Sequence, residues 1–260
     1  MIAGKQNILS DKENMELHKK VIIVTGAGSG IGRATAKHLA DLGARVAATD
    51  VDEPGGRETL EIIRESGGEA RFTRVDVRMA AEVKGMVADT VAAYGGRIDA
   101  LVNAAGVLRD AFVADLLEQD WDLTLDVNLK GTFLCCREVL PVLKTCGGGT
   151  IVNVSSSGAF HCPMQYPAYT ASKAGLDGFT RSLAKQVRPA GIAVVGIRPA
   201  YVNTPMGRRA FEEQEGRAPE GDDFKRMLKP EDIALSIAAL IGPSAIHMSG
   251  SIIDTSPLAG

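Results

Sequence analysis

Long apolar runs are absent from this 260-residue sequence, and no hydrophobic stretch approaches the ~20 residues that a membrane-spanning helix needs. An excess of one charge sign is also absent, since 29 Lys and Arg residues stand against 32 Asp and Glu residues. The resulting net charge of −3 gives no basic field of the kind that attracts nucleic acid. The composition therefore argues against a membrane protein and against a nucleic-acid partner.

Cysteine is scarce: the four cysteines follow no metal-binding spacing, and no metal site is expected. Hydrophobic residues make up 45% of the chain, enough to build a core without disulfide bonds. We therefore expect reduced thiols and a cytoplasmic location. Residues 1–19 are polar and mixed in charge, unlike a secretory signal, and we interpret them as a flexible N-terminal extension before a single domain at 20–260.

Apolar runs that fit buried strands alternate with helical patterns along the whole chain. Strands are predicted at 21–24, 45–50, 70–76, 98–102, 150–154, 192–197 and 251–253. Helices are predicted at 33–40, 54–63, 80–94, 121–144, 166–187 and 230–241. This alternation predicts an α/β fold, a single doubly wound Rossmann domain whose parallel sheet of about seven strands carries helices on both faces. The polar segment 204–229 has no clear period, and we expect a mobile loop that covers a ligand.

A glycine-rich turn at 25–32 lies between the first predicted strand and the first predicted helix. Glycine lets the backbone turn tightly and approach a ligand, and the free N–H groups of a helix start attract anions. In this context a nucleotide pyrophosphate site is favoured over a plain turn. The candidate cofactor-binding residues of the turn are Gly26, Ser29, Gly30, Ile31 and Gly32.

Polar residues end several predicted strands, at the edge where ligands of a doubly wound sheet bind. Asp50 ends the second strand about 20 residues beyond the glycine turn, where a carboxylate can accept hydrogen bonds from an adenosine ribose. The alternative for Asp50 is a solvated loop acid. Other residues at this edge are Thr25, Asp76, Asn103, Ser155, Ser156 and Pro199.

Tyr169 and Lys173 are four residues apart on a predicted helix, so they share a face. They are either a surface pair or an acid/base unit in which the lysine ammonium lowers the pKa of the tyrosine. Ser156 lies 13 residues before Tyr169, where its hydroxyl could contact a substrate oxygen. Asn128 interrupts an apolar helix face, and its alternative is a hydrogen-bonded core amide.

Together these residues resemble the short-chain dehydrogenase/reductase superfamily over residues 20–254. The resemblance is carried by three motifs, namely Thr25-Gly26-x-x-x-Gly30-x-Gly32, Asn103-Ala104-Ala105-Gly106 and Tyr169-x-Ala171-Ser172-Lys173-Ala174. Two departures occur: Ala200 stands where the family usually has glycine, and Thr255-Ser256 replaces a glycine pair.

The resemblance implies a catalytic tetrad. Tyr169 is its general acid/base, and Lys173 lowers the pKa of Tyr169 and holds the nicotinamide ribose. Ser156 orients the substrate oxygen, with Ser155 as its rival, and the backbone of Asn128 holds a water in a proton relay to Lys173.

The resemblance also implies further cofactor contacts. These are Val51, Asp76, Val77, Asn103, Ala104, Gly106, Pro199, Val202 and Thr204, together with Tyr169 and Lys173 of the tetrad. NAD is expected in preference to NADP, because Asp50 would repel a 2′-phosphate while Ser29 and Val51 are neutral. Arg33 is the one basic residue close by in sequence, and we expect it to point away from the ribose.

The implied function is hydride transfer between NAD(H) and a secondary alcohol or ketone. The alternatives are a 3-oxoacyl-thioester reductase that uses NADPH, a non-catalytic dinucleotide-binding sensor, and a sugar epimerase or dehydratase. The resemblance further implies a homotetramer, with a dimer as the second possibility, assembled through the two long helices at 121–144 and 166–187 and the last strands.

Overall fold

A seven-stranded parallel sheet forms the centre of the protein in the computed structural model, which describes residues 17–255. The strand order is β3-β2-β1-β4-β5-β6-β7. The strands are β1 Val21–Thr25, β2 Arg45–Asp50, β3 Glu69–Arg74, β4 Ala100–Asn103, β5 Gly149–Val154, β6 Ile192–Arg198 and β7 Ile252–Asp254. All five residues of β1 are buried, as expected for a strand covered on both faces.

Helices cover both faces of the sheet. They are α1 Gly30–Asp41, α2 Glu53–Glu65, α3 Ala80–Ala93, α4 Glu118–Leu125, α5 Thr132–Thr145, α6 Gly158–His161, α7 Pro167–Val187, α8 Pro205–Glu215 and α9 Pro230–Ala239. Short 3-10 helices lie at Arg188–Ala190, Gly221–Lys225 and Pro243–His247. Residues of α1 and α9 pack in one core with Ile22 and Val24, whereas residues of α3, α5 and α7 pack in another with Val21 and Ile23. The predicted doubly wound fold is confirmed.

The long helix predicted at 121–144 extends from Glu118 to Thr145 and contains a π-helical segment, Asp126–Gly131, between α4 and α5. β3 ends at Arg74, so Asp76 follows the strand and does not belong to it. These differences are small, because helix and strand ends depend on local hydrogen bonds that a periodic pattern does not show. Among residues 17–255, none of the helices combines the length and the apolar character required to cross a membrane.

The segment 204–229 was predicted to lack regular structure, and that prediction is wrong. It contains the 11-residue helix α8 and a 3-10 helix. Pro205 occupies the first turn of α8, and the hydroxyl of Thr204 accepts a hydrogen bond from the N–H of Gly207 at 3.0 Å. The helix buries only Ala210 and Phe211, and two apolar positions are too few to produce a visible period.

The expected flexible extension at 1–19 lies mostly outside the described residues. Its last part is packed: Leu17 is only 4% exposed and contacts the core, and the N–H of Lys19 donates to the carbonyl of Gly43 at 2.8 Å. Residues 17–19 are therefore packed against the domain, and the boundary at residue 20 stays a prediction.

Candidate active site

A cleft of about 800 Å³ runs along the carboxyl ends of the strands. It brings together most of the residues that the sequence singled out. Those that line it are Gly26, Ser29, Gly30, Ile31, Gly32, Asp50, Val51, Asp76, Val77, Ala104, Gly106, Ser156, Tyr169, Lys173, Pro199, Val202 and Thr204. Asn103 and Asn128 lie behind the wall of the cleft, where both are buried.

The glycine turn forms a cradle at one end of the cleft. Gly26 and Gly30 have φ angles of 68° and 51°, which side chains other than glycine rarely adopt. A Cβ atom at Gly26 would lie 2.7 Å from the Cα atom of Ala105, so only glycine fits there. Helix α1 begins at Gly30, and the side chain of Ser29 makes no capping hydrogen bond. The first-turn N–H groups of α1 are therefore suited to an anion.

Asp50 is held in place by the glycine turn. Its Oδ2 atom accepts a hydrogen bond from the N–H of Gly28 at 2.7 Å, and its Oδ1 atom accepts one from the N–H of Asp52 at 2.9 Å. Carboxylate oxygens have further lone pairs, so both can accept additional hydrogen bonds from a ligand. The carboxylate is thus oriented at the rim of the cleft before any ligand binds.

Arg33 lies on the other side of the Gly28 peptide and does not line the cleft. Its Nη2 atom donates to the carbonyl oxygen of Gly28 at 2.5 Å and pairs with Glu58 at 2.6 Å, and its Nε atom donates to Thr59 Oγ1 at 3.0 Å. These bonds connect the glycine turn to α2. Sequence reasoning did not identify this positioning role, because Glu58 and Thr59 are 25 and 26 residues away from Arg33 along the chain.

The carboxylate of Asp76 is bound by a residue that sequence reasoning missed. The Nε and Nη2 atoms of Arg78 donate to its oxygens at 2.6 to 3.0 Å. The hydrogen bonds from Arg78 hold the pKa of Asp76 below its usual value, although partial burial opposes the shift. Because Arg78 also lines the cleft, this end of the site presents a guanidinium together with a carboxylate.

Asn103 connects strands inside the sheet. Its Nδ2 atom donates to Asn153 Oδ1 at 2.9 Å, and Asn153 in turn donates to Thr180 Oγ1 on α7 at 2.9 Å. Asn103 itself is only 3% exposed and lies behind the wall of the cleft, so its role as a cofactor contact stays a prediction. The neighbouring Ala104 does line the cleft, and its N–H donates to Thr25 Oγ1 at 3.2 Å.

Tyr169 and Lys173 lie one turn apart on α7 and both face the cleft. Lys173 is only 5% exposed, and its Nζ atom donates to the carbonyl oxygen of Val154 at 2.8 Å. The same Nζ atom is 5.7 Å from the centre of the Tyr169 ring. The alternative of a solvent-exposed surface pair is therefore wrong.

The pKa values of this pair are dominated by burial. Burial lowers the pKa of the Lys173 ammonium to about 8, and the carboxylate of Asp177 opposes that shift. Burial raises the pKa of Tyr169, while a hydrogen bond with Ser156 works in the opposite direction. The expected lowering of the Tyr169 pKa is thus not found in the protein alone, because desolvation of the hydroxyl outweighs the other contributions.

The two candidate serines have different surroundings. Ser156 lies beside Tyr169, since a Cβ atom at Gly158 would be 3.3 Å from Ser156 Oγ and 3.4 Å from Tyr169 Cε1, and Ser156 Oγ accepts the N–H of Gly158 at 3.0 Å. Ser155 is buried at the end of β5, and its hydroxyl donates to the backbone carbonyl of Lys173 at 3.4 Å. Of the two, Ser156 is the serine that lies beside the Tyr169 ring.

The side chain of Asn128 is a fully hydrogen-bonded core amide, as one interpretation of the sequence held. Its Oδ1 atom accepts the N–H of Val107 at 2.8 Å, and its Nδ2 atom donates to Val107 O and Ser172 Oγ, both at 3.0 Å. A Cβ atom at Gly106 would lie 3.4 Å from Asn128 Oδ1 and 3.6 Å from Lys173 Nζ. Asn128 therefore joins the π-helical segment, the loop after β4 and α7 directly behind Lys173.

Helix α8 forms the wall opposite α7. Tyr166, which precedes α7, is only 3% exposed, and its hydroxyl donates to Glu213 Oε2 at 3.0 Å. Arg209 extends this connection, because it bonds Glu213 at 2.6 Å and Asp110 at 3.1 Å. Burial and the Glu213 carboxylate raise the pKa of Tyr166. We call the four residues Tyr166, Glu213, Arg209 and Asp110 the lid latch.

The departure at Ala200 carries no backbone strain, because among residues 17–255 the only non-glycine residues with positive φ are Lys19 and Cys162. Tyr201 lines the cleft, and its hydroxyl donates to Gln214 on α8. A backbone bridge between Val202 and Leu228 closes the base of the segment that contains α8. The segment that contains α8 is therefore attached at its base and along α8.

A family model described as short chain dehydrogenase matches residues 20–215. The chain belongs to the short-chain dehydrogenase/reductase superfamily. It is accordingly an NAD(P)-dependent oxidoreductase that acts on alcohol or ketone groups, and this confirms the resemblance stated from the sequence.

Two characterised relatives illustrate the range of the superfamily. D-threitol dehydrogenase of Mycolicibacterium smegmatis is 39% identical over 249 residues, which cover 94% of either chain. The 3-oxoacyl-[acyl-carrier-protein] reductase of Thermotoga maritima is 35% identical over 239 residues, 92% of this chain and 97% of the other. Among solved structures, actinorhodin polyketide ketoreductase with NADPH superposes with a TM-score of 0.86 at 33% identity, covering 92% of this chain and 96% of that one.

Proposed function

We propose that this enzyme transfers a hydride between NAD(H) and a secondary alcohol or its ketone, with Tyr169 as the general acid/base. The observation that carries the proposal is the convergence of Ser156, Tyr169 and Lys173 on one cleft whose other end is a glycine cradle. A complete set of these groups argues against a binding protein without turnover.

The cleft fits a dinucleotide. Glycine is required at Gly26 by the close approach of Ala105, and the start of α1 offers N–H groups to a pyrophosphate. Asp50 and Asp76 would meet the adenosine, and Pro199, Val202 and Thr204 would lie beside the nicotinamide. The nicotinamide ring supplies or accepts the hydride when it is bound.

The protein then supplies position and a proton. Ser156 holds the substrate oxygen, and the Tyr169 hydroxyl gives a proton to that oxygen in reduction or takes one in oxidation. Lys173 favours the phenolate form of Tyr169 by its positive charge and binds the nicotinamide ribose. The backbone of Asn128 would hold the water that relays the proton to solvent.

NAD is the proposed cofactor because Asp50 presents an oriented carboxylate where an adenosine ribose would lie. Gly28 and Asp52 each occupy one lone pair of its oxygens, and the remaining lone pairs can accept the ribose hydroxyls. A 2′-phosphate at the same place would meet this negative charge. Arg33 does not relieve that repulsion, because its guanidinium is paired with Glu58 behind the turn.

For the substrate we favour a small polyol or another polar secondary alcohol. The substrate side of the cleft presents Tyr201, Gln214, His161 and Arg109 as polar groups, and the relative with 39% identity is a D-threitol dehydrogenase. The second candidate is a 3-oxoacyl-thioester reductase that uses NADPH, which is favoured by the likeness to the reductase of Thermotoga maritima.

The oligomer proposed is a homotetramer, with a dimer as the second possibility. Phe133 of α5 and Phe179 of α7 pack edge to face with ring centres 6.3 Å apart, and Phe133 and Trp121 remain 41% and 38% exposed. An apolar surface shared by the two long helices suits a self-complementary contact. Light scattering at micromolar concentration tests this proposal, and a monomer would contradict it.

The function is tested by NADH formation with a panel of polyols, cyclic alcohols and 3-hydroxyacyl thioesters, run with NAD and with NADP. Turnover of a polyol with NAD is expected. Turnover confined to the thioester with NADP would favour the second candidate, and no turnover with any alcohol or ketone, despite cofactor binding, would favour a sensor.

A further inference from the structure

Asp177 and Arg198 form a buried ion pair behind Lys173. Asp177 follows Lys173 by one helical turn on α7, and Arg198 is the last residue of β6. The Nε and Nη2 atoms of Arg198 donate to the same oxygen, Asp177 Oδ2, at 2.9 and 2.5 Å. The side chains are only 3% and 18% exposed, so the pair is poorly screened by solvent.

The second oxygen of Asp177 has a different environment. Asp177 Oδ1 is buried and has no hydrogen-bond partner among residues 17–255. An arginine fork often binds both oxygens of a carboxylate, but here both donors bind one. The negative charge of Asp177 is therefore not fully taken up by Arg198, and in a low-dielectric surrounding it acts on neighbouring charges.

Lys173 is the neighbour on which this charge acts. The other groups that approach Lys173 are neutral: Tyr169 on α7, Asn128 from the π-helical segment, and the backbone carbonyl of Val154 from β5. Burial lowers the pKa of Lys173, and the carboxylate of Asp177 opposes that shift.

Arg198 has one further charged neighbour. Asp254 of β7 lies beside Arg198 in the register of the sheet. The charges behind Lys173 are therefore the carboxylate of Asp177, the guanidinium of Arg198 and the carboxylate of Asp254. Neither Asp177 nor Arg198 lines the cleft, so neither is placed to touch a substrate or a cofactor.

We infer that Asp177 and Arg198 are positioning residues that together set the proton affinity of Lys173. Asp177 holds the proton on Lys173 Nζ against the cost of burial, and Arg198 limits how strongly it does so. The inference concerns the charge of Lys173 alone; its consequence for turnover rests on the proposed function.

The two single variants are expected to shift the titration midpoint of Lys173 in opposite directions. Asp177→Asn removes a negative charge, so Lys173 loses its proton at a lower pH, by about 1 unit for a neighbouring opposite charge. Arg198→Met removes a positive charge, so the midpoint moves to a higher pH. The double variant removes both charges and is expected to titrate between Asp177→Asn and the wild type, because Arg198 offsets only part of the charge of Asp177. A merely structural role would shift both single variants in one direction.

The experiment measures the titration of Lys173 directly. The protein is labelled with a trace of acetic anhydride across a pH series, and peptide mass spectrometry follows acetylation at Lys173. Only the neutral amine reacts, so the labelling rate reports the protonation of Lys173 without substrate or turnover. Lys185, exposed on the same helix, serves as the internal reference.

Two controls are matched to the pair. Asp41→Asn also removes a carboxylate one helical turn after a lysine, at the exposed Lys37–Asp41 pair of α1, and is expected to leave Lys173 unchanged. Arg198→Lys keeps the positive charge and is expected to stay near the wild-type midpoint. Thermal unfolding followed by circular dichroism shows whether each variant is folded.

Opposite shifts in the single variants, with the double variant between Asp177→Asn and the wild type, would support the inference. Shifts of the same sign, unchanged midpoints, or a larger shift in the double variant would overturn it. If Asp177→Asn does not fold, the other two variants still test the inference. Lys173 must then titrate at a higher pH in Arg198→Met than in the double variant. A labelling shift without a matching shift in the pH profile of kcat/KM would leave this inference standing and contradict the proposed role of Lys173.

Discussion

The two ends of the cleft are built differently. At the cofactor end, the backbone forms the surface: Gly26 and Gly30 shape the turn, and one carboxylate, Asp50, is bound by backbone N–H groups. At the substrate end, side chains that are distant in sequence form the surface, and α8 is connected to the rest of the protein through the lid latch. A binding surface made of backbone groups can remain the same through many substitutions. A binding surface made of side chains can become specific for another ligand after a few substitutions.

This difference agrees with the relatives. They include a D-threitol dehydrogenase and an acyl-carrier-protein reductase, at 39% and 35% identity. A shared cofactor end with a variable substrate end would accommodate both. The predictions below test this division, from the largest expected effect to the smallest.

Removing the Tyr169 hydroxyl, which lies between the two ends of the cleft, should have the largest effect on kcat. Tyr169→Phe is expected to lower kcat by roughly 10²–10⁴-fold, the usual contribution of a general acid/base. NADH binding, followed by its fluorescence, should change little because the cofactor end is untouched. Tyr94→Phe is the control: the Tyr94 hydroxyl is buried without a partner among the described residues, and its loss should leave kcat unchanged. A Tyr169→Phe enzyme with near-normal kcat would contradict the assignment.

Asp50→Ala tests whether one carboxylate selects the cofactor. Its removal should reduce the preference for NAD over NADP, measured as the ratio of kcat/KM values, by at least about tenfold, which corresponds to about 1.4 kcal/mol. Asp41→Ala on the outer surface of α1 is the matched control. A wild-type preference for NADP would contradict the NAD assignment, and an unchanged ratio in Asp50→Ala would mean that another group discriminates.

Tyr166→Phe opens the lid latch without altering the cofactor end. The hydrogen bond of Tyr166 to the Glu213 carboxylate is lost, and bonds to charged groups contribute about 1.5–3 kcal/mol. KM for the substrate is expected to rise several-fold, while the affinity for NADH stays the same. Glu213→Gln keeps an acceptor without the charge and should have a smaller effect. Equal losses of affinity for substrate and cofactor would show that the two ends are not separable.

Hydrogen exchange should reveal the smallest effect. We expect amides of Pro205–Glu215 to exchange faster than those of α1 in the free enzyme, and to slow when cofactor and substrate bind. Tyr166→Phe should speed exchange in α8 only. Identical exchange in α8 with and without ligands would indicate that this helix is a fixed wall and not a lid.

Local sequence signals predicted the glycine turn and Asp50 at the cofactor end of the cleft. The order strand, glycine turn, helix predicts a cradle because all its parts are contiguous between 21 and 41. The pairing of Tyr169 with Lys173 follows from helical spacing. Asp50 could be placed because parallel strands end at one edge of the sheet.

Other features could not be read from the chain. Helix α8 was missed because its two buried positions leave no period, and Arg78 was missed because nothing local distinguishes it from a surface arginine. The effect of burial, which raises the pKa of Tyr169 in the free protein, was not predicted, because burial is set by everything packed around the hydroxyl and cannot be judged from the residue four positions away.

The sequence by itself thus predicted the fold class and the glycine cradle, because each depends on residues that are neighbours along a strand, a turn or one helix. The proposed acid/base role of Tyr169 and Lys173 came from the family resemblance, since their spacing alone also fits a surface pair. The tertiary structure alone decided that Tyr166 meets Glu213 47 residues later, and that Arg198 meets Asp177 behind Lys173. Contacts between distant segments depend on how the helices pack on the sheet, and the spacing of residues along the chain does not indicate that packing.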